Sequence, residues 1–201
     1  MNSYKINLSS IAKIQVGYQA RGKVEENLDG NFIIIRPQDF DSNGKLNIDQ
    51  AMRFFPSFNI DPKNYLITDG DILVQARGQN HSAYLIDKEV INAVASNSFY
   101  IVRIRNDANI VPSYLAWWIN QPKVQGYFER EQGLSTIPFI SKSVLLKTKI
   151  IVPSISIQKR IGELIMLWKK EQELLQQLTE KKEILIQEVA LKAAEQTLEN
   201  K

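Results

Sequence analysis

Along the last third of the chain, apolar residues recur at intervals of four and three. They are Ile157, Ile161, Leu164 and Trp168, then Leu175 and Leu178, then Leu185 and Val189. A helix gathers such positions on one face, so the pattern predicts one amphipathic helix from Ile157 to about Glu199, with a heptad seam of about five repeats. The stretch has no Pro, its only Gly is Gly162, and it is rich in Glu, Lys, Gln, Leu and Ala, all good helix formers apart from the glycine. The seam is broken at Glu171 and Lys182. At ~1.5 Å per residue the helix would reach ~65 Å. Such a stripe can face its own core or reach another chain, and the length favours the second.

The first three quarters read as short strands and turns. Residues 4–14 (YKINLSSIAKI) suggest a short helix capped by Ser9 or Ser10, running into a strand near Ile14–Tyr18. Phe32–Arg36 is a compact β-branched run, hence a buried strand, stopped by Pro37. Residues 37–68 look irregular, with Pro56 and Pro62 as breaks. Asp69-Gly70-Asp71 forms a tight turn before a strand at Ile72–Ala76, and further strands are expected at Ala83–Asp87 and Ser98–Arg105, the last alternating. Two helices follow at about Ser113–Asn120 and Pro122–Gln132, then strand-like Ile137–Ile140 and a strand at Lys149–Val152. The fold class is therefore α+β: a mixed globular domain over residues 1–153 and a long helix over residues 154–201.

Composition narrows the function classes. Hydrophobic content of 44% and charged content of 23% suit a soluble protein. No apolar run approaches a membrane span, and the amino terminus lacks a signal peptide's order. Zero Cys excludes disulfides and thiolate metal sites and fits a cytoplasmic protein. Residues 1–156 carry 17 Lys+Arg against 14 Asp+Glu, and residues 157–201 carry 8 against 8, so the net charge of +3 lies in the globular part. That allows a nucleic-acid partner without demanding one.

The sequence makes no positive case for an enzyme. His81 is the only His, which leaves neither a multi-histidine metal site nor a Ser-His-Asp arrangement with a spare base. Phosphate-loop and dinucleotide motifs are absent. Asp61-Pro62-Lys63-Asn64-Tyr65 departs from the acidic-Pro-Pro-aromatic signature of amino-methyltransferases, and Asp87-Lys88-Glu89 is too compact for a metal-dependent nuclease set. His81 in a loop is a polar surface residue or a contact to a base or phosphate.

Three polar, Gly-containing loops have a composition suited to reading DNA. The first holds Gln19, Arg21 and Lys23 around Gly22. The second holds Gln75, Arg77, Gln79, Asn80 and His81 around Gly78, and the third Gln132, Ser135 and Thr136 beside Gly133. Arg pairs with guanine, and Gln or Asn with adenine, through two hydrogen bonds in the major groove. Glycines let the backbone turn sharply or approach a phosphate. Polar loops are also what loops in general are made of.

The order of the pieces resembles the specificity subunit of type I restriction-modification systems, in a half-length form. The resemblance rests on Leu8-Ser-Ser-Ile-Ala-Lys-Ile14 with Gly17, on Phe32-Ile-Ile-Ile-Arg36 with Gln38-Asp39, and on Leu66-Ile-Thr-Asp-Gly-Asp-Ile-Leu-Val74 with Arg77-Gly78. It continues through Tyr114-Leu115, Gly133-Leu-Ser-Thr136, Ile140-Ser141, Ile150-Ile-Val-Pro153 and Gln158-Lys-Arg-Ile161, entering the helix. The family usually has Pro-Pro and then Glu-Gln at the hinge, whereas this chain has Pro153-Ser154 and Ile157-Gln158. Family members usually carry two recognition domains, each followed by a long helix, and the helices pair antiparallel. This chain has one of each. The resemblance implies a non-catalytic DNA-recognition subunit whose missing half comes from another chain, most simply a second copy. It also implies a methyltransferase (modification) subunit docked on the helices, which would use S-adenosylmethionine, and a restriction subunit that can join. No cofactor is expected in this chain.

On that reading, base contacts are expected from Gln19, Arg21, Arg77, Gln79, Asn80, His81, Ser135 and Thr136, and phosphate contacts from Lys23, Arg36 and Lys142. The dimer helix would use Leu164, Trp168, Glu171, Leu175, Leu178, Lys182, Leu185 and Val189. If two copies pair antiparallel about an axis between Gln176 and Gln177, Glu171 faces Lys182, Leu175 meets Leu178, Trp168 meets Leu185 and Leu164 meets Val189. The two breaks in the seam then become partners. Identical half-sites imply an interrupted palindrome. A coiled-coil adaptor without DNA binding, and pairing with a different half, are the rival readings.

Overall fold

The computed structural model describes residues 3–20, 24–56, 60–132 and 137–199, with side chains described through residue 195. Its contacts divide the chain into a globular unit, Met1–Gly162, and a second unit, Glu163–Lys201. The class is α+β, with sheets of short strands and a long C-terminal helix.

The globular unit is built around an antiparallel four-stranded sheet in the order β2 (Ala12–Val16), β8 (Phe99–Ile104), β5 (Ile72–Gln75), β6 (Ala83–Leu85). Side chains alternate across a strand, and here both faces are covered. Ile72, Val74, Tyr100 and Val102 point into a core shared with the helices α1 (Pro112–Ile119), α2 (Pro122–Glu131) and α3 (Lys142–Leu146). Leu73, Phe99 and Ile101 point the other way, toward Ile35, Ala93 and Ala95. Phe99–Val102 is therefore buried on both sides, so β8 reads as a continuous apolar run rather than the alternating strand expected. A smaller sheet, β4 (Met52–Phe54), β3 (Phe32–Ile35), β7 (Ala93–Ala95), closes the second face, with β3 and β7 parallel.

The amino terminus differs from its expected helix. Tyr4–Asn7 is a strand, β1, paired antiparallel with β9 (Lys149–Val152), and only Leu8–Ser10 makes a single 3-10 turn before β2. Neither Ser9 nor Ser10 caps a helix. The partner that fixes β1 lies some 145 residues away (Tyr4 opposite Val152), and such tertiary pairing overrides local propensity. The expected strand at Ile137–Ile140 is reduced to one bridge, Arg77 opposite Phe139. Strands β4 and β7 and helix α3 were not expected. The first two are three residues long, and α3 is a five-residue helix.

Aspartate 71 is buried and accepts four hydrogen bonds. Arg103 donates from Nε (2.8 Å) and Nη2 (2.6 Å), and Thr68 donates from its backbone N–H (2.8 Å) and its hydroxyl (3.2 Å). This carboxylate fixes the turn before β5 and raises the Arg103 guanidinium pKa through the hydrogen bond.

Helix α4 spans Ile155–Glu199, and its first two turns belong to the globular unit. Gln158 is fully buried there. Its Oε1 accepts from Val111 N (2.9 Å), and its Nε2 donates to Asn109 O (3.1 Å) and Pro153 O (2.9 Å). One turn on, Gly162 packs so tightly that any Cβ would collide with the Ser113 hydroxyl. The glycine that lowers helix propensity is thus the position where the helix touches α1.

Candidate nucleic-acid interface

The strand registers bring the roots of the three polar loops to one end of the main sheet. Val16, the last residue of β2, lies opposite Tyr100, and Gln75, the last of β5, lies opposite Phe99. Both loops therefore leave beside the start of β8, on its two sides. Neighbouring strands lie ~4.8 Å apart, so these roots are separated by roughly 10 Å. The first root is fastened by Gly17 N to Phe99 O (3.0 Å) and Tyr18 N to Ala95 O (2.6 Å). The third loop returns against the second, with Gly78 N donating to Pro138 O (3.0 Å) and Ile140 N to Ala76 O (2.9 Å). Tyr100 adds a bond from its hydroxyl to Ile140 O (3.1 Å). Burial pushes that hydroxyl above the usual tyrosine range, and the charge of Arg77 acts in the opposite direction.

The second loop is held rigidly at its base. Gln75 N donates to Ser82 O (2.9 Å) and Gln75 Nε2 to Arg77 O (2.9 Å). Gly78 has φ +117, a backbone conformation strained for any residue with a side chain, and a Cβ there would lie 2.7 Å from Gln75 Nε2. The side chain of Gln75 is thus spent on the loop itself. Arg77, Gln79 and Asn80 are exposed, as is Gln19 on the first loop.

His81 is corrected on both expectations. It is 1% exposed, with Nδ1 3.0 Å from Gln75 O, Nε2 3.4 Å from Gln132 Oε1, and its ring edge-on to Phe128. It is neither a surface residue nor placed to touch a base. With the Gln132 amide turned so that its NH2 faces the ring, a neutral imidazole satisfies both contacts. Gln125 Nε2 also donates to His81 O (3.2 Å). The histidine pins the second loop to α2 and to the start of the third.

Arg36 is likewise drawn inward. Its Nη2 lies 3.1 Å from Oδ1 of Asp39, which is 2% exposed, and the Arg36 backbone N–H donates to Asp39 Oδ2 (2.7 Å). Burying a carboxylate demands a paired charge, which takes Arg36 out of the set of free cations. Lys142 remains exposed on the first turn of α3, just after Ser141 caps that helix by accepting from Val144 N (3.3 Å). Arg21, Gly22, Lys23, Gly133, Ser135 and Thr136 lie outside the described residues.

Residues that fasten these loops carried no sequence signal. Tyr100 sits mid-strand. Asn120, at the end of α1, exchanges two 2.8 Å bonds with the Ala83 backbone. Among the described residues, no group of His, Cys, Asp and Glu could hold a metal ion, and no helix is long and apolar enough to cross a membrane.

Along α4 the seam stays open to solvent. Leu164, Trp168, Leu175, Leu178, Leu185 and Val189 are each between 49% and 65% exposed. Glu171 and Lys182 are exposed on the same stripe. Leu167, Leu174 and Ile186, also exposed, flank it.

The family model for the type I restriction modification DNA specificity domain matches residues 2–184. The chain belongs to that family. Among solved structures, it resembles the type I restriction-modification S subunit from M. genitalium at 14% identity and TM-score 0.57, covering 87% of this chain and 41% of that one. It resembles the HsdS subunit from Thermoanaerobacter tengcongensis at 16% identity and TM-score 0.56, covering 85% and 37%. A chain from a study of complex assembly and conformational transition of the type I R-M system matches at 16% identity and TM-score 0.62, covering 86% and 40%. These likenesses concern the fold, and the chain spans about two fifths of the length of each of these structures. No curated protein matches the chain.

Proposed function

We propose that this chain is the DNA-recognition subunit of a type I restriction-modification complex, reading one half-site per copy and carrying no catalysis of its own. The observation that carries the reading is the convergence of the roots of the three polar loops at one end of the β2-β8-β5 sheet. Arg77, Gln79, Asn80 and Gln19 are the described side chains for base contact, joined by Arg21, Ser135 and Thr136. Lys142 and Lys23 contact phosphate, which positions the domain without reading sequence.

The open seam of α4 supports pairing with a second copy. Antiparallel pairing about an axis between Gln176 and Gln177 joins Glu171 to Lys182 twice by symmetry, and it sets Leu167 against Ile186 beside the seam. The exposed band including Leu167 and Leu174 is wider than the narrow a/d stripe of a two-stranded coil. The surplus width supports docking of a further helical partner, the methyltransferase subunit, which would bring S-adenosylmethionine; a restriction subunit can join that assembly. Two identical domains on a fixed spacer read an interrupted palindrome, and the complex works in the cytoplasm.

Binding of the purified chain to duplex DNA, with its mass measured in parallel, tests this reading. Affinity that falls steeply with salt together with a dimeric mass is expected, because phosphate contacts release counterions. Salt-independent or absent DNA binding would mark a protein-interaction adaptor, and a monomer would point to pairing with a different half.

A further inference from the structure

The outer face of the β1–β9 pair forms the floor of a concave groove of about 460 Å³. On β1 and β9 the lining residues are Lys5, Asn7, Lys149 and Ile151, and the register sets Lys5 opposite Ile151 and Asn7 opposite Lys149. One wall is α2, which presents Lys123, Tyr127 and Arg130 at spacings of four and three, so on one helical face. Trp118 closes one end through Nε1 to Lys149 O (3.0 Å), and Lys147 stands at the other wall. Among the described residues, five cations line the groove and no Asp or Glu does. All five are exposed residues. Glu131, the one acid whose charge reaches Tyr127, lies outside the lining.

Five like charges around one concavity repel one another, which is unfavourable unless an anion occupies it. We propose that this groove holds consecutive phosphates of the DNA strand bordering the half-site. The assignment rests on the DNA-recognition reading above and extends it to residues outside the three loops. Its placement favours DNA over a protein partner. On α2, Gln125 and the following Gln132 reach His81 of the second loop, while Lys123, Tyr127 and Arg130 line the groove. At 100° per residue these two sets lie on opposite flanks of the buried Phe128. The groove is therefore about one helix diameter, ~10 Å, from the base-reading loop. A major groove is ~12 Å wide, so loops engaged with its floor leave the bordering backbone at about that distance. Arg130 and Lys147 would take charge-assisted bonds to phosphate oxygens, and the Trp118 and Tyr127 rings would pack on the sugars.

The test compares the full chain with Lys123→Gln/Arg130→Gln and, from the other walls, Lys147→Gln/Lys149→Gln, on a random-sequence duplex. A control pair, Lys181→Gln/Lys192→Gln, removes two cations from α4. Each groove pair should lower the slope of log affinity against log salt by about 1.8, so that its loss of affinity between about 50 and about 200 mM salt is about tenfold smaller than that of the unaltered chain. The control pair should leave the slope unchanged, and neither groove pair should melt below the unaltered chain, since removing like charges relieves repulsion. Unaltered slopes in both groove variants, while the starting chain still binds DNA steeply, would overturn the groove assignment alone. So would intact DNA binding with lost retention of the methyltransferase subunit, which would make the groove a protein dock. Absence of salt-dependent binding by the starting chain would overturn the recognition reading and the groove together.

Discussion

The globular unit and the helix beyond Gly162 treat the same residue types in opposite ways. Leu115 and Leu145 in the domain are fully buried, whereas Leu167 and Leu185 on α4 are 69% and 59% exposed. Burying a leucine stabilises by roughly 1.5–3 kcal/mol, and the domain realises that gain within the chain. The helix leaves it unrealised along some thirty residues. A domain that completes its own core can hold loops rigidly enough to recognise a ligand. On the proposed reading a second copy covers the exposed seam of α4, which would tie its stability to concentration.

The sharpest way to break this contrast is to charge the seam. Leu175→Asp/Leu178→Asp places four carboxylates at the proposed axis of the pair. Self-association should weaken at least about a thousandfold, since central interface residues contribute ~2–4 kcal/mol each. Sedimentation should then give a monomer whose domain still melts normally. Loss of the domain's own melt would show that the seam packs within one chain.

Next in size is the junction. Gln158→Leu leaves Val111 N, Asn109 O and Pro153 O without their partner, at a cost of about 3 kcal/mol. A Tm lower by roughly 6–10 °C is expected in calorimetry, with the dimer mass retained. Tyr114 offers a smaller effect with a defined pH window. Its hydroxyl donates to Ile151 O (2.6 Å), and burial pushes its pKa up to about 12. The folded state therefore holds the proton more tightly than the unfolded chain. Its contribution is complete below pH ~10 and is lost between about 10 and about 12. Tyr114→Phe should cost about 1 kcal/mol at neutral pH and flatten that alkaline decline, as read by denaturant melts across the range.

The smallest expected effect is the most informative about direction. Glu171→Lys should weaken the pair by about 1 kcal/mol, and adding Lys182→Glu should restore it. A parallel pair would show no rescue, because the two positions would never meet.

How much of this could be read in advance differs between the regions. The helix was legible nearly end to end, because a long periodic pattern needs no distant partner to be interpreted. In the domain, compact runs such as Phe32–Ile35 and Ile72–Gln75 were legible for the same reason. Tyr4–Asn7 was not, because its strand character comes from pairing with Lys149–Val152. The three-residue strands at Met52 and Ala93 are too short to show a period. At the candidate site, composition singled out polar residues without showing which of them the fold itself uses. Arg77 and Gln79 remain available to a ligand, while Gln75, His81 and Arg36 are used to hold the structure. Composition cannot separate these fates, since both require polar side chains. The basic groove was invisible for a related reason: Lys5, Lys123, Arg130, Lys147 and Lys149 are scattered along the sequence and meet only through the β1–β9 pairing and α2.

The most direct measurement is a map of methylated sites in the host genome with and without this gene. A self-paired recognition subunit should leave one interrupted palindrome methylated on both strands, and deletion should abolish it. An asymmetric site, or a methylation pattern unchanged by deletion, would contradict a pair of identical reading domains held apart by an antiparallel helix.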